Sequence, residues 1–226
     1  MTPGDMRFVT CSVLVALTAP ASAADWTDLP ALIAATEAPV LGDLRACVKG
    51  KLPKSIGYVL ARGKRGTSAG MPLYGVGFRG ITPEQRCLGT AVAKLAFPEL
   101  PAGIEQVTLG LTIRPATAPT PPPDPAWGAW KDLASALTTL IDGPRRATLA
   151  ACDGKARTVR IVVDRTTRAT RIWLPAWQFH SPKGDGTTPP AEQRVKACMT
   201  KAMRTWTAPA LPAGLGELQI SIAVKR

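Results

Sequence analysis

Five cysteines, one histidine and two Glu-Gln-Arg triplets are the residues of this 226-residue chain whose types are suited to chemistry. Zinc coordination by cysteine typically uses closely spaced Cys-x-x-Cys pairs with further Cys or His ligands. Neither arrangement occurs, and His180 stands alone in a Gly/Pro-rich loop with no Ser, Cys or Asp pattern around it that forms a triad. The triplets Glu84-Gln85-Arg86 and Glu192-Gln193-Arg194 resemble an acid–base set, but they sit three and six residues before Cys87 and Cys198, so one shared geometry is not expected. Carboxylates at a helix start are in any case favoured by the helix dipole. Gly75, Gly77 and Gly80 do not lead into a helix as a phosphate-cradling loop does. No catalytic, metal-binding or cofactor-binding residue is therefore assigned, and the expectation is a protein that is not an enzyme.

The cysteines take their meaning from the amino terminus. Arg7 precedes an apolar run over residues 8–20 that ends in Ala21-Ser22-Ala23, the pattern of a cleavable export signal over residues 1–23. That run is too short to span a bilayer and no later segment replaces it, so no integral membrane span is expected. Export places the mature chain in a periplasmic or secreted, oxidising setting, where cysteines pair. Removing the signal removes Cys11 and leaves Cys47, Cys87, Cys152 and Cys198.

Four cysteines allow three pairings, and an internal repeat selects among them. Trp26-x-Asp28-Leu29 recurs as Trp130-x-Asp132-Leu133, and Leu100-Pro101-Ala102-Gly103 recurs as Leu211-Pro212-Ala213-Gly214, each 13 residues after its cysteine. Each copy owns two cysteines, which gives Cys47–Cys87 and Cys152–Cys198 as structural disulfides. A unit of about a hundred residues is long for a solenoid repeat and sufficient for a small domain.

The elements that must position these residues follow from hydrophobic period. Residues 28–37 and 132–141 read as helices with Leu29, Leu32, Ile33 and Leu133, Leu137, Leu140 on one stripe. Short helical segments near residues 41–48 and 147–152 carry the first cysteine of each copy. A longer helix carries the second, with Cys87, Leu88, Ala91, Val92, Leu95 and Val195, Cys198, Met199, Ala202, Met203, Trp206 on the expected core faces, and Thr82-Pro83-Glu84-Gln85 as a capping box. Strand alternation is clear in Val107, Leu109, Leu111, Ile113 and in Leu218, Ile220, Ile222, Val224. Hairpins are expected from residues 56–61 with 72–78, around Gly63, Gly66 and Gly70, and from residues 158–164 with 169–174. The fold class is α+β: two tandem small domains (24–115 and 126–226), each a three-stranded antiparallel sheet with helices packed on one face and one disulfide. Residues 116–125, with five prolines, read as an extended spacer between them.

Charge and aromatic placement supply the binding clues. The formal net charge is +12, and residues 44–83 hold eight basic side chains and no acidic one. The hairpin residues Arg62, Lys64, Arg65 and Arg165, Arg168, Arg171 are the candidate anion-binding set. Trp173 and Trp177 are the candidate aromatic contacts, expected on the sheet face away from the helices. Trp26 and Trp130, at matched positions, read as packing anchors.

A cysteine in an early helix, a hairpin, a cysteine in the last helix, then Phe97-Pro98-x-Leu100-Pro101-Ala102-Gly103 and a final strand resemble the carboxy-terminal domain of the AgmX/PglI type. That domain occurs in myxobacterial envelope proteins and is similar to the carboxy-terminal domain of TonB. The resemblance covers each copy once; copy two departs from it, with Ala208 in place of Phe97 and Trp206 two positions earlier. It implies an envelope interaction or scaffold role without catalytic residues. Two mechanisms are open. One is strand addition by an envelope protein at a free sheet edge, with Leu218, Ile220, Ile222 and Val224 as the candidate edge strand. The other is capture of an anionic polymer (lipopolysaccharide, acidic polysaccharide or extracellular DNA) by the basic hairpins.

Overall fold

The structure is a computed structural model that describes residues 25–64, 66–72, 80–119, 121–153, 155–166, 169–181 and 186–224. The expected signal segment lies outside the described residues, and no helix among them is long and apolar enough to cross a membrane. The first half runs α1 (Leu29–Glu37), α2 (Leu41–Cys47), β1 (Lys54–Gly63), β2 (Gly66–Gly70), α3 (Pro83–Val92) and β3 (Ile104–Ile113). The second repeats that order as α4 (Leu133–Leu140), α5 (Gly143–Ala150), β4 (Arg157–Arg165), β5 (Thr170–Trp173), α6 (Pro190–Met203) and β6 (Leu215–Val224). The element order is the one hydrophobic period foretold. Side-chain caps set the starts: Asp28, Asp132 and Asp142 each accept a backbone N–H, and Thr82 and Gln85 close a reciprocal capping box. The Asp142 cap also starts α5 earlier than the apolar pattern does.

The two halves do not build separate sheets. Their strands form one six-stranded antiparallel sheet in the order β2-β1-β3-β6-β4-β5, with β3 and β6 paired at its centre. The expected pair of independent three-stranded sheets is thereby corrected, and the arrangement is pseudo-two-fold about the β3–β6 contact. Reciprocal bonds mark the axis: Ser221 N–H donates to Gly103 O at 2.7 Å, and Gly110 N–H donates to Gly214 O at 2.9 Å. Buried residues of both halves form one continuous cluster. β6 is a central strand, paired with β4 over residues 217–224 and with β3 over residues 215–220, so the expectation of an edge strand at 218–224 is corrected for Leu218 and Ile220. Alternation identified the buried face of that strand correctly, with Leu218, Ile220, Ile222 and Val224 all buried. It carries no information about lateral neighbours, because ladder bonds are made by the backbone.

The repeated motifs explain each other. Trp26 Nε1 donates to Glu99 O at 2.8 Å, and Trp130 Nε1 donates to Ala210 O at 3.0 Å, so each Trp-x-Asp-Leu motif clasps the chain just before its own Leu-Pro-Ala-Gly turn. The two tryptophans are packing anchors, both buried. The helix starts also touch across the axis, through Leu29 N–H to Lys131 O at 2.8 Å and Leu133 N–H to Trp26 O at 3.1 Å.

Both disulfides form as paired above, Cys47–Cys87 and Cys152–Cys198. They do not lie inside the core as the helix faces implied. Cys47 is buried but Cys87 and Cys198 are exposed, so the bridges clamp α2 to α3 and α5 to α6 at the outer rim of the helix layer. The first hairpin places β2 at Gly66–Gly70, reached by a tight turn that pairs Gly63 with Gly66; of the expected partner residues 72–78, all but Pro72 lie outside the described residues. Nor is the Pro-rich segment a detached spacer. Asp124 caps the turn Pro125–Ala129 and accepts the Ala213 N–H at 2.8 Å, which ties the segment to the second Leu-Pro-Ala-Gly loop.

Candidate anion-binding surface

The arginines of the expected anion-binding hairpins make bonds within the fold. Arg62 donates to Leu100 O and, at 2.8 Å, to Pro101 O, and pairs with Glu99 at 2.6 Å. Its pseudo-symmetric mate Arg165 donates to Leu211 O. Both guanidinium groups fasten a strand end to the carbonyls that open a Leu-Pro-Ala-Gly turn. Arg171 is bound to Asp164 by two bonds, at 3.0 and 2.5 Å. Partial burial opposes ionisation of Asp164, but the hydrogen bonds from Arg171 and Trp173 outweigh it and hold its carboxyl below the usual range. Lys64 is exposed at the turn, with no ion pair among the described residues, while Arg65 and Arg168 lie outside them. Of the described hairpin cations, Arg62 and Arg165 fasten the fold and Arg171 is paired at the surface, roles that formal charge along a sequence does not reveal.

The aromatic pair divides as well. Trp173 is half-buried, donates to Asp164 at 2.9 Å and lies 5.2 Å beneath the Arg171 guanidinium. Trp177 is 51% exposed, with the Arg160 guanidinium 4.9 Å from its ring centroid. Its turn, Ala176–Phe179, is held firmly: where β5 stops, the Gln178 amide substitutes for a strand, accepting from Arg160 N–H at 2.8 Å and donating to Arg160 O at 2.9 Å. This plug blocks part of the β4 edge against strand addition.

The Glu-Gln-Arg triplets, set aside for unequal spacing, do occupy equivalent places. α6 begins eight residues before its cysteine and α3 only four. A three-residue displacement is close to one helical turn, so both carboxylates keep the same face. Glu84 meets Lys54 at 2.5 Å and Glu192 meets Arg157 at 2.8 Å, each at the first residue of its half's first strand. Those partners, Lys54 for Glu84 and Arg157 for Glu192, hold both carboxyls below the usual range. Both pairs fasten a helix start to a strand start, and in the second half the buried Asp153 meets the same Arg157 guanidinium.

Cations without partners collect elsewhere. Arg146 on α5 and Arg194, Lys201 and Arg204 on α6 are exposed and make no ion pair or side-chain hydrogen bond among the described residues. Steps of seven and ten residues from Arg194 place Lys201 and Arg204 within about 80° on one side of the helix, over about 15 Å. Arg145 stacks over Trp206 at 5.6 Å, which draws the start of α5, where Arg146 follows, to the end of α6. The only carboxylate on α6, Glu192, is spent on Arg157. The first half differs: its α3 offers Arg86, the following Lys94 is neutralised by Asp43 at 2.6 Å, and the exposed Lys49 and Lys51 lie on the loop before β1, not on a helix. The signal for this row was present in the sequence as basic residues at helical spacing, but the denser hairpin charges drew the expectation away from it.

One further polar group is set in the first half. Glu37 Oε1 accepts the Tyr58 hydroxyl at 2.8 Å inside the core, and burial, only partly offset by that bond, pushes the Glu37 carboxyl up to about 7. The Tyr58 hydroxyl is pushed up in turn by burial and by Glu37.

No group of His, Cys, Asp and Glu among the described residues has the arrangement to hold a metal ion. Comparison with protein-family models, with curated proteins and with solved structures finds no match to this chain. The fold and surface define its class on their own terms: a duplicated α+β protein, braced by two disulfides, with one asymmetric cationic helix face.

Proposed function

We propose that the protein is a non-enzymatic, exported binding protein that docks on an anionic polymer of the cell envelope through the α5–α6 face. The observation that carries this reading is the division of its cations: the hairpin residues Arg62, Arg165 and Arg171 are engaged by the fold, whereas Arg146, Arg194, Lys201 and Arg204 face solvent with no ion pair among the described residues. Charge of one sign on a rigid face raises encounter rates with a polyanion and holds it by many weak contacts. Two disulfides and the absence of a long apolar helix among the described residues are compatible with a periplasmic or secreted setting. The resemblance to AgmX/PglI-type and TonB-like domains leads to the same class of envelope role, although strand addition is less favoured at β6, a central strand paired with β4 over residues 217–224 and with β3 over residues 215–220.

The test is retention of residues 24–226 on immobilised lipopolysaccharide, compared with a triple Arg194→Ala, Lys201→Ala, Arg204→Ala variant. Each cation near an anionic surface contributes about 1 kcal/mol, so the triple variant binds about a hundredfold more weakly. Retention of the wild type collapses at about 0.5 M salt, where screening shortens to a few ångströms. Equal retention of variant and wild type, or retention indifferent to salt, refutes this face as the contact.

A further inference from the structure

The Glu37–Tyr58 pair is dispensable to the fold's packing. Ile161 holds the ladder position in β4 that Tyr58 holds in β1, as the registers Tyr58↔Leu109 and Ile161↔Ile220 show. Ile141 stands as far from its Trp-x-Asp-Leu motif as Glu37 does from its own, and both isoleucines are buried. The same architecture therefore closes its core with two apolar side chains at these sites. Burying a carboxyl costs free energy that a single hydrogen bond does not fully offset, so the first half carries a polar pair that packing does not demand.

That carboxyl has an outlet. Glu37 is 9% exposed, and the exposed part lines a trough of about 740 Å³ between the α1–α2 corner, the end of β3 and the Pro-rich segment. Prolines and Trp127 give the trough an apolar wall, and Arg45 and Arg114 place two guanidinium groups on it. Arg45 uses only its Nε, donating to Arg114 O at 2.9 Å, which leaves its terminal nitrogens without partners among the described residues. The ionisable groups around Glu37 are Tyr58 from β1, Arg45 from α2, Arg114 after β3 and, along the Pro-rich wall, Asp124, whose carboxylate is occupied by the Ala126 and Ala213 N–H groups. A concave site with an apolar wall, a few charged groups and a displaced acid is a form small-ligand sites take.

We propose that this trough binds a small amphiphile with an anionic head, the head held by Arg45 on the side of Glu37 and the apolar body laid against Trp127 and the prolines. The neutral acid offers a hydrogen bond to the head; the ionised acid repels it. Affinity therefore falls as pH rises through about 7, the value at which burial places this carboxyl. The site lies in the first half and is independent of the α5–α6 face.

Octane-1-sulfonate is the probe, because its head stays ionised and any pH dependence belongs to the protein. Calorimetric titration into residues 24–226 at pH 6 and pH 8.5 is expected to show one site, bound about 30-fold more weakly at pH 8.5, following the protonated fraction. Glu37→Gln, which keeps an acceptor for Tyr58 and so preserves the fold by circular dichroism, removes that pH dependence. Arg45→Gln weakens binding at least tenfold at both pH values, and the triple α6 variant leaves it unchanged. Octyltrimethylammonium does not bind. Equal binding of the two probes, no saturable binding of the sulfonate, a pH dependence that survives Glu37→Gln, unaltered affinity in Arg45→Gln, or loss of binding in the α6 variant overturns the proposal.

Discussion

Titrating Glu37 should make the wild-type protein less stable as pH rises from about 4.5 to about 7, the reverse of the usual behaviour of a paired carboxylate. In the unfolded chain this carboxyl has its ordinary value of 4.5, and in the folded protein burial raises it to about 7. The folded state therefore holds a proton that the unfolded state releases across that interval, and stability falls wherever the native state binds more protons. The stabilisation is complete below about pH 4.5 and gone above about pH 7. The displacement of about 2.5 units corresponds to about 3 kcal/mol, a sizeable share of the roughly 5–15 kcal/mol that holds a typical protein folded. Carboxyls held low by partners, such as Glu84, Glu192 and Asp164, act in the opposite sense and at lower pH, since their contributions vanish only as they protonate. Urea unfolding at half-unit steps from pH 4.5 to 8.5, run on wild type and Glu37→Gln, isolates the single group by difference. The wild type should lose about 3 kcal/mol relative to the variant across the interval, and Glu37→Ile with Tyr58→Phe, which imitates the apolar second half, should show the same flat difference. Parallel curves for wild type and Glu37→Gln would falsify the claim that this acid is buried at a cost.

Other perturbations test the architecture. Gly103 has φ +84° and contacts the backbone of β6, so Gly103→Ala should cost about 1–2 kcal/mol in chemical unfolding, whereas Gly89→Ala on α3, where a Cβ meets nothing, should be neutral or stabilising. Replacing Arg165 with Met removes the donor to Leu211 O and should cost about 1–3 kcal/mol without changing polymer retention, which separates fastening arginines from contact arginines. Replacing Cys152 and Cys198 with Ala opens a 46-residue loop and should cost about 4 kcal/mol, read as a lowered melting temperature. The second half alone (126–226) exposes the flank of β6 that β3 covers, so light scattering should find it dimeric or aggregated; a stable monomer would contradict the single-sheet packing.

Much of this fold is written locally. The period of Leu133, Leu137 and Leu140, the alternation of Val107 to Ile113 and the Thr82–Gln85 box specify elements because each depends on neighbours within a few residues. The disulfide pairing was legible for a different reason: duplication gave each copy its own two cysteines. What the sequence left open are questions of who stands beside whom. The Leu-Pro-Ala-Gly match between copies is visible in the letters, but its glycine carbonyls serve the opposite half's strand, and a backbone bond leaves no mark on side-chain pattern. For the same reason β6 read as well as an edge as it does as a centre.

The site divides along the same line. Sequence alone determined that the chain is strongly basic, duplicated and supplied with matched arginines in both hairpins. Only the tertiary structure decided that Arg62 and Arg165 turn inward to carbonyls while Arg194, Lys201 and Arg204 keep their charge for solvent. It alone set Glu37 against Tyr58, 21 residues away, where the second half has Ile141 and Ile161. Charge and composition are properties of residues, whereas the free energy of a charge depends on what surrounds it, and folding is what supplies those surroundings.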